Sequence, residues 1–173
     1  YEAPLFISLM VAKSIYPLLV QYYNENKNKL FNYYTILSSY MTLLSYMIVL
    51  FIYIFHKELI QITFGDNFED SSRILMLLSF GLIPMFNAFL RSSYITISGN
   101  QKIILYTSLF SLIFNVILNY FLINEFGLQG AVYSTVLTQI LSLFVLNAAF
   151  NETKVLFFVQ AKSLALLGIW NKK

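Results

Sequence analysis

The chain has 173 residues, of which 58% are hydrophobic and only 11% are charged, and its net charge is +3. Soluble domains carry about 25% charged residues, so this composition excludes an ordinary soluble protein. The apolar runs are continuous rather than alternating, which favours membrane-spanning helices over a β-barrel. We therefore predict an all-α, polytopic transmembrane helix bundle.

Five apolar segments are long enough to cross a bilayer, for which a helix needs about 20 residues. They cover residues 4–23, 34–55, 74–97, 103–123 and 131–150. Pro17 removes a backbone donor from the first segment, so we expect a kink there. Residues 1–150 are thus predicted to form one bundle of five transmembrane helices.

The remaining segment, residues 151–173, is apolar but is interrupted by Gln160 and Lys162. It ends in Lys172 and Lys173. We interpret it as a cytoplasmic helical tail that lies in the membrane interface, in preference to a sixth crossing. Because the chain begins with Tyr1 and shows no signal peptide, we expect it to be the C-terminal part of a longer protein.

The charges of the connections alternate along the chain. One set of connections is basic and contains Lys27, Lys29, Lys102 and Lys154. The other set holds most of the acidic residues, namely Glu58, Asp66, Glu69, Asp70 and Glu125. Positive charge is retained in the cytoplasm, so the basic set is predicted to be cytoplasmic and the acidic set to face outward.

Two cations, Lys13 and Arg91, lie inside apolar segments, whereas all eight acidic residues lie in connections or at segment ends. A charged residue within a membrane span faces a bundle interior or a wet cavity, which makes it a candidate functional residue. A membrane interior that is cationic and free of carboxylates suits an anionic cargo. Lys13 either lines a cavity or forms a structural ion pair with an acid elsewhere in a longer chain.

Arg91 lies on a polar stripe, because Pro84, Asn87, Tyr94 and Ser98 recur around it at helical spacing. Two interpretations stay open. Its guanidinium either snorkels to the headgroups or lines a cavity and binds phosphate oxygens with its fork of donors.

Hydroxyl and amide stripes also mark other segments, including Ser108, Ser111, Asn115 and Asn119. Such stripes usually join helices, and a sugar-binding role for Asn115 stays open. The single histidine, His56, has no partner at a metal-ligand spacing, and no catalytic set of residues is visible. We expect no metal, no cofactor and no enzymatic activity. The candidate substrate-binding residues are Lys13, Asn87, Arg91, Tyr94 and Asn115.

Four motifs resemble those of one family of membrane proteins, and they occur in the same order with matching gaps across residues 14–147. The first ends a span before a basic loop, Tyr16-Pro17-Leu18-Leu19. The second and third lie in connections and read Phe64-Gly65-Asp66-Asn67-Phe68 and Ser98-Gly99-Asn100-Gln101-Lys102. The fourth is Leu118-Asn119 followed by Phe126-Gly127-Leu128-Gln129-Gly130-Ala131. The chain resembles the O-antigen and polysaccharide flippases of the multidrug/oligosaccharidyl-lipid/polysaccharide exporter superfamily.

The resemblance implies the C-terminal lobe of a two-lobed exporter of usually twelve helices, of which this chain would supply the last five. It also implies transport of an undecaprenyl-diphosphate-linked oligosaccharide across the bacterial inner membrane. The partners expected are this substrate, the bilayer and other polysaccharide-assembly proteins, with no nucleic acid and with the protein a monomer. Two other functions stay open: a drug/cation antiporter of the same superfamily and a subunit of a membrane-embedded glycan-assembly enzyme.

Overall fold

Nearly all of the chain that can be described is helical. A computed structural model describes residues 1–170, and of Asp66, Glu69 and Asp70 it describes the backbone alone. Lys172 and Lys173 of the predicted tail lie outside the described residues. The α-helices are α1 (Leu5–Glu25), α2 (Lys27–Phe64), α3 (Glu69–Ser79), α4 (Leu82–Phe86), α5 (Ala88–Ile97), α6 (Gln101–Phe126), α7 (Leu128–Leu143), α8 (Lys154–Leu164) and α9 (Leu167–Trp170). Short 3-10 helices cover Asp66–Phe68 and Val145–Ala148.

Four of the five predicted segments correspond to helical stretches that could each span a bilayer, and the remaining segment corresponds to a bent pair of helices. Four are single stretches that are long and apolar enough to span a bilayer: Leu5–Glu25, Lys27–Phe64, Gln101–Phe126 and Leu128–Ala148. The fifth is a bent pair, Ser71–Ser79 with Leu82–Ile97. The prediction of an all-α polytopic bundle is therefore confirmed. The longest helix, α2, has a non-helical residue at Phe55, where the second predicted segment ends.

The sharpest bend of the bundle lies in the bent pair, where the helix direction changes by 48°. Pro84 has no N–H to donate to the carbonyl of Phe80, which accepts instead from Ile83 at 3.3 Å. At the junction of α4 and α5 the carbonyl of Phe86 accepts a hydrogen bond from the Ser8 hydroxyl of α1, at 2.5 Å. In contrast, α1 remains one helix through Pro17, where we expected a kink.

The turn between α1 and α2 is set by Asn26. Its backbone is extended, and its side chain accepts hydrogen bonds from the backbone N–H groups of Asn28 and Lys29, at 3.0 and 3.1 Å. Asparagine is a favoured N-cap because it satisfies amides that have no partner in the first helical turn. One residue is thus enough to reverse the chain between two spans.

Ring contacts show that two basic connections lie at the same end of the bundle. Tyr23 and Phe31 flank the α1–α2 turn, and both contact Tyr94, with ring centroids 6.4 and 5.9 Å apart. Tyr94 lies near the end of α5, shortly before the turn that carries Lys102. The grouping of the connections therefore follows the charge pattern, whereas their orientation in a membrane stays a prediction.

Helices α6 and α7 form a tight antiparallel hairpin, and two glycines allow it. Gly127 in the turn has a φ of +57°, a region that favours glycine. A side chain at Gly130 would collide with the backbone carbonyl of Leu122. Polar pairs then hold the helices together, since Asn115 Nδ2 donates to Thr138 at 3.3 Å and Ser134 donates to Asn119 Oδ1 at 2.5 Å.

The tail packs along α2. The hydroxyl of Tyr46 donates to the carbonyl of Leu164 at 3.0 Å, and the backbone N–H of Gly168 donates to Ser39 at 3.2 Å. Leu156 and Val159 of α8 join the buried core. Whether the tail lies in the membrane interface stays a prediction, but the described part of it is bound to the bundle by specific contacts.

Candidate functional site

The side chain of Arg91 is buried inside the bundle, with 4% of its surface exposed. Its Nε donates to Asn147 Oδ1 at 2.6 Å, and its Nη2 donates to Thr107 at 3.4 Å. These partners come from the 3-10 helix after α7 and from α6. Arg91 thus turns toward protein rather than toward the headgroups, which argues against snorkelling. Its predicted contact with phosphate stays a prediction.

The charge of Arg91 has polar neighbours but no carboxylate among the side chains that the structure describes. The five described acidic side chains, Glu2, Glu25, Glu58, Glu125 and Glu152, are all exposed. Neutral acceptors satisfy the hydrogen bonds of a buried guanidinium but do not cancel its charge. The charge therefore produces a positive electrostatic potential in the interior. The interior of the described bundle therefore holds a positive charge without a carboxylate partner.

A chain of buried hydrogen bonds continues from Arg91 into the tail. Asn147 Nδ2 donates to Gln160 Oε1 at 2.8 Å, and the Ser163 hydroxyl donates to the carbonyl of Gln160 at 2.7 Å. Ser163 Oγ lies 3.3 Å from Thr42 Oγ1 of α2. Each of these side chains is at least nine-tenths buried. The network therefore joins α5, α2 and the tail through groups whose loss of hydrogen bonds would be costly.

Asn87, at the break between α4 and α5, connects to the same network. It accepts from Ser38 at 2.7 Å and donates to Thr42 at 2.9 Å. It also borders an apolar cavity of about 280 Å³ under α8, whose other walls include Phe80, Ile83, Phe144 and Leu164. The side-chain amide of Asn87 thus binds the junction of α4 and α5 to α2. The same residue borders the cavity.

Tyr94 belongs to an aromatic cluster at the basic end of the bundle, with Tyr23, Phe31 and Tyr34. The hydroxyl of Tyr34 is buried and has no hydrogen-bond partner among the described residues. An unsatisfied buried hydroxyl is uncommon and marks a site that a ligand or water can complete. This hydroxyl group is the only feature of the cluster that points to binding.

Lys13 lies on a different surface from Arg91. Its side chain is exposed on α1 and borders an open groove of about 380 Å³ between α1 and α5. The groove is otherwise lined by Tyr16, Ser92, Ser93 and Thr96, together with Leu9, Ala12 and Phe89. An ammonium among hydroxyl groups can bind the oxygens of an anion. The predicted structural ion pair has no partner within the described side chains.

The five predicted substrate-binding residues therefore do not form one site. Asn87, Arg91 and Tyr94 share the inner face of α5, Lys13 faces the groove on the other side of α1, and Asn115 lies within the α6–α7 hairpin. There Asn115 accepts from Asn119 at 2.9 Å and donates to Thr138. This arrangement fits the helix-joining interpretation of that stripe.

Comparison with known protein families shows to which family the chain belongs. Residues 4–121, more than half of its 173 residues, match the model of the MatE family. The chain belongs to the MatE family. MatE proteins are membrane transporters of the multidrug/oligosaccharidyl-lipid/polysaccharide exporter superfamily, so this chain is part of a multi-pass membrane exporter. No curated protein and no solved structure matches the chain.

Sequence reasoning missed the residues that hold Arg91 in place. Asn147 and Thr107 read as isolated polar residues in apolar segments, and Gln160 was taken only as an interruption of the tail. An amide within an apolar helix usually has a buried partner, and that signal singles out Asn147. Its pairing with Arg91 depends on tertiary structure, since 56 positions separate the two residues.

Proposed function

We propose that this MatE exporter moves an undecaprenyl-diphosphate-linked oligosaccharide from the cytoplasmic to the periplasmic leaflet of a bacterial inner membrane. The single observation that carries the proposal is the exposed Lys13 in a hydroxyl-lined groove. The five apolar segments of the sequence contain Lys13 and Arg91 and no carboxylate. A diphosphate needs a positive contact within the bilayer, and its lipid chain needs an open path to lipid. An open groove on the bundle surface supplies both.

The groove supports a contact with phosphate oxygens by its composition. Lys13 supplies charge, and Tyr16 and Ser92 supply hydroxyl donors near it. Ser93 already donates to the carbonyl of Phe89 at 2.9 Å, so its oxygen is left as an acceptor. Ser92 forms no hydrogen bond with the described residues, and its hydroxyl is available to a ligand. Binding of the diphosphate by Lys13 with Ser92 and Tyr16 follows from these positions.

Arg91 contributes in a second way. Its guanidinium is held by Asn147 and Thr107, so it can fork onto phosphate only when these bonds are released. Rocking of two lobes, the usual motion of secondary transporters, would supply such a rearrangement. While these bonds are in place, Arg91 would attract the diphosphate through its positive charge alone. Asn87 and Tyr94, which lie on the same face, would be the neutral polar groups beside it.

Membership of the MatE family is equally consistent with a drug/cation antiporter. The two functions make opposite demands on Lys13. An organic cation is repelled by an ammonium in its path, so neutralising Lys13 would leave drug export intact or improve it. A diphosphate is attracted by the same group, so its export would fail.

The test is export by variants at Lys13, in cells that depend on this exporter for their surface polysaccharide. Lys13→Gln removes the charge and keeps a polar side chain, and we expect loss of surface polysaccharide with lipid-linked intermediate accumulating inside. Lys13→Arg keeps the charge and should retain partial export. Lys102→Gln is the matched control, because Lys102 is exposed at the start of α6 and lies outside the groove.

Sensitivity to cationic dyes is measured in the same strains. Normal polysaccharide export by Lys13→Gln, combined with altered resistance to the dyes, would replace the proposed cargo by a cationic drug. Loss of export in the Lys102→Gln control as well would show that positive charge anywhere in the chain is needed, and the groove would lose its assigned role.

A further inference from the structure

A second polar pocket lies at the far end of the bundle from the basic connections. It has a volume of about 450 Å³ and lies between α3 and the α6–α7 turn. Its lining consists of Ser71, Ser72, Arg73, Ile74, Phe126, Leu128 and Gln129, and we call it the α3–α7 pocket. Helix α6 separates Phe126 from Lys102 by 24 residues, or about 36 Å at 1.5 Å per residue. This pocket is therefore remote from Lys13, Arg91 and the rest of the site described above.

Within the described residues, the polar side chains that line the α3–α7 pocket are available to a ligand. Ser71, Ser72, Arg73 and Gln129 form no side-chain hydrogen bond or ion pair within the part of the chain that the structure describes. Ser72 is the most buried of the four, with 4% of its surface exposed, and it still borders the pocket. Ser71 and Gln129 are partly buried and Arg73 is exposed. The pocket therefore brings together four hydrogen-bonding side chains that a polar ligand can reach.

The chemistry of the lining selects the class of ligand. The guanidinium of Arg73 and the amide of Gln129 donate, while the two serine hydroxyls both donate and accept. Phe126 adds an aromatic surface that is 52% exposed, and an edge-on contact with Tyr133 at 5.9 Å orients its ring. A pyranose ring carries hydroxyl groups around its rim and apolar C–H bonds on its face. It matches this combination of donors, acceptors and one aromatic platform.

Charge favours a neutral sugar over a phosphate group here. In the sequence, Glu69 and Asp70 directly precede Ser71, and Glu125 directly precedes Phe126, against the single positive charge of Arg73. An anion would be repelled by this excess of carboxylates. The pocket thus differs from the Lys13 groove, which has no acidic residue in its lining.

We infer that the α3–α7 pocket is a saccharide-binding site, at the end of the bundle that is predicted to face outward. A role of this site in export rests on the proposed function. In that role, the pocket would bind the sugar portion of the cargo after that portion has crossed the membrane. Saccharide binding itself can be measured without any export.

The binding experiment uses the full chain in lipid nanodiscs, because detergents with sugar headgroups would occupy the pocket. The probes are free hexoses, N-acetylhexosamines and 6-deoxyhexoses, with inorganic phosphate as a separate probe. A ligand that binds only the folded protein raises its unfolding temperature with concentration. We expect at least one sugar, and not phosphate, to give a saturable rise.

Two variants of exposed residues locate the site. Arg73→Gln removes the charged donor and Phe126→Leu removes the aromatic surface, and each should raise the half-saturating sugar concentration by about tenfold. Lys57→Gln is the matched control, because Lys57 is an exposed cation on α2 that does not line the pocket. The control should titrate like the parent protein.

Three results would overturn the inference: no response to any sugar, a response to phosphate alone, or equal titration of the parent protein and both variants. The outcome is separable from that of the proposed function. Sugar binding at the pocket with normal export by Lys13→Gln would remove the proposed cargo and leave the saccharide site. Failed export by Lys13→Gln without sugar binding would remove the saccharide site alone.

Discussion

Arg91 on α5 and Asn147 in the 3-10 helix after α7 share a buried hydrogen bond of 2.6 Å, although 56 positions separate them in the chain. Asn147 also donates to Gln160 of the tail, and its own carbonyl accepts from Thr153 at 3.0 Å. One asparagine side chain thus connects the only buried arginine of the described bundle to α8. The position of the tail and the position of the arginine are therefore coupled.

Asn147→Leu should destabilise the protein. The substitution keeps the branched shape of the side chain but leaves the Nε–H of Arg91 and the amide oxygen of Gln160 without this partner in an apolar interior. Removing one partner of a hydrogen bond to a charged group costs about 1.5–3 kcal/mol. Thermal unfolding of the purified protein should show a clear fall in the midpoint. Asn151→Leu is the control, since Asn151 is exposed four positions later, and equal midpoints of both variants would contradict the role of Asn147.

Substitutions of Arg91 separate its fork of donors from its charge. If Arg91 binds phosphate with two parallel donors during export, Arg91→Lys should impair export nearly as much as Arg91→Ala, because an ammonium group cannot reproduce the fork. Surface polysaccharide at matched protein level measures the effect. Lys102→Arg, an exchange at an exposed position, should export normally. Wild-type export by Arg91→Lys would show that only positive charge is needed at this position.

The sequence predicted the long apolar helices well because each is a long apolar run, and this signal depends on composition alone. It did not predict the bend next to Pro84. Pro17 and Pro84 both remove a backbone donor, yet only the region around Pro84 is broken, where Gly81 allows α4 to lie against Gln139 of α7. A proline bends a helix sharply where the surrounding packing satisfies the freed groups, and such packing is tertiary information.

The candidate site was predicted in part for the same reason. Lys13 and Arg91 could be singled out because a cation in an apolar run is a local feature. Their separation onto different surfaces could not be predicted, since it depends on how α1 and α5 are rotated against each other. Likewise, the unused hydrogen-bonding groups around Ser72 become visible only when α3 and the α6–α7 turn are brought together.

Gly130→Ala should weaken the α6–α7 hairpin. A methyl group at this position collides with the carbonyl of Leu122, and both belong to rigid helical backbone that cannot move aside without separating the helices. Overpacking of this kind costs about 1–3 kcal/mol. We expect a lower unfolding temperature and faster proteolysis near the turn. Leu128→Ala tests specificity, because Leu128 is 71% exposed and its truncation should leave the hairpin unchanged.

The orientation of the bundle can be tested at the two ends of α6. Positive charge is retained inside, so Lys102 should be cytoplasmic and Glu125 should face outward. The chain has no cysteine, so Lys102→Cys and Glu125→Cys each provide a single thiol. An impermeant thiol reagent added to intact spheroplasts should label position 125 and reach position 102 only after lysis. Labelling of position 102 alone in intact spheroplasts would reverse the predicted orientation.

Lys13→Ala should leave the stability of the protein unchanged while export is lost. Lys13 is exposed in the groove, and within the described residues it has no ion-pair partner that its removal would strand. A structural ion pair predicts the opposite result, since breaking a buried pair costs about 3–5 kcal/mol. Thermal unfolding of purified Lys13→Ala is measured beside its export of polysaccharide. A protein that is both inactive and much less stable would make Lys13 a structural residue, whereas a stable and inactive one places the ammonium on the path of the cargo.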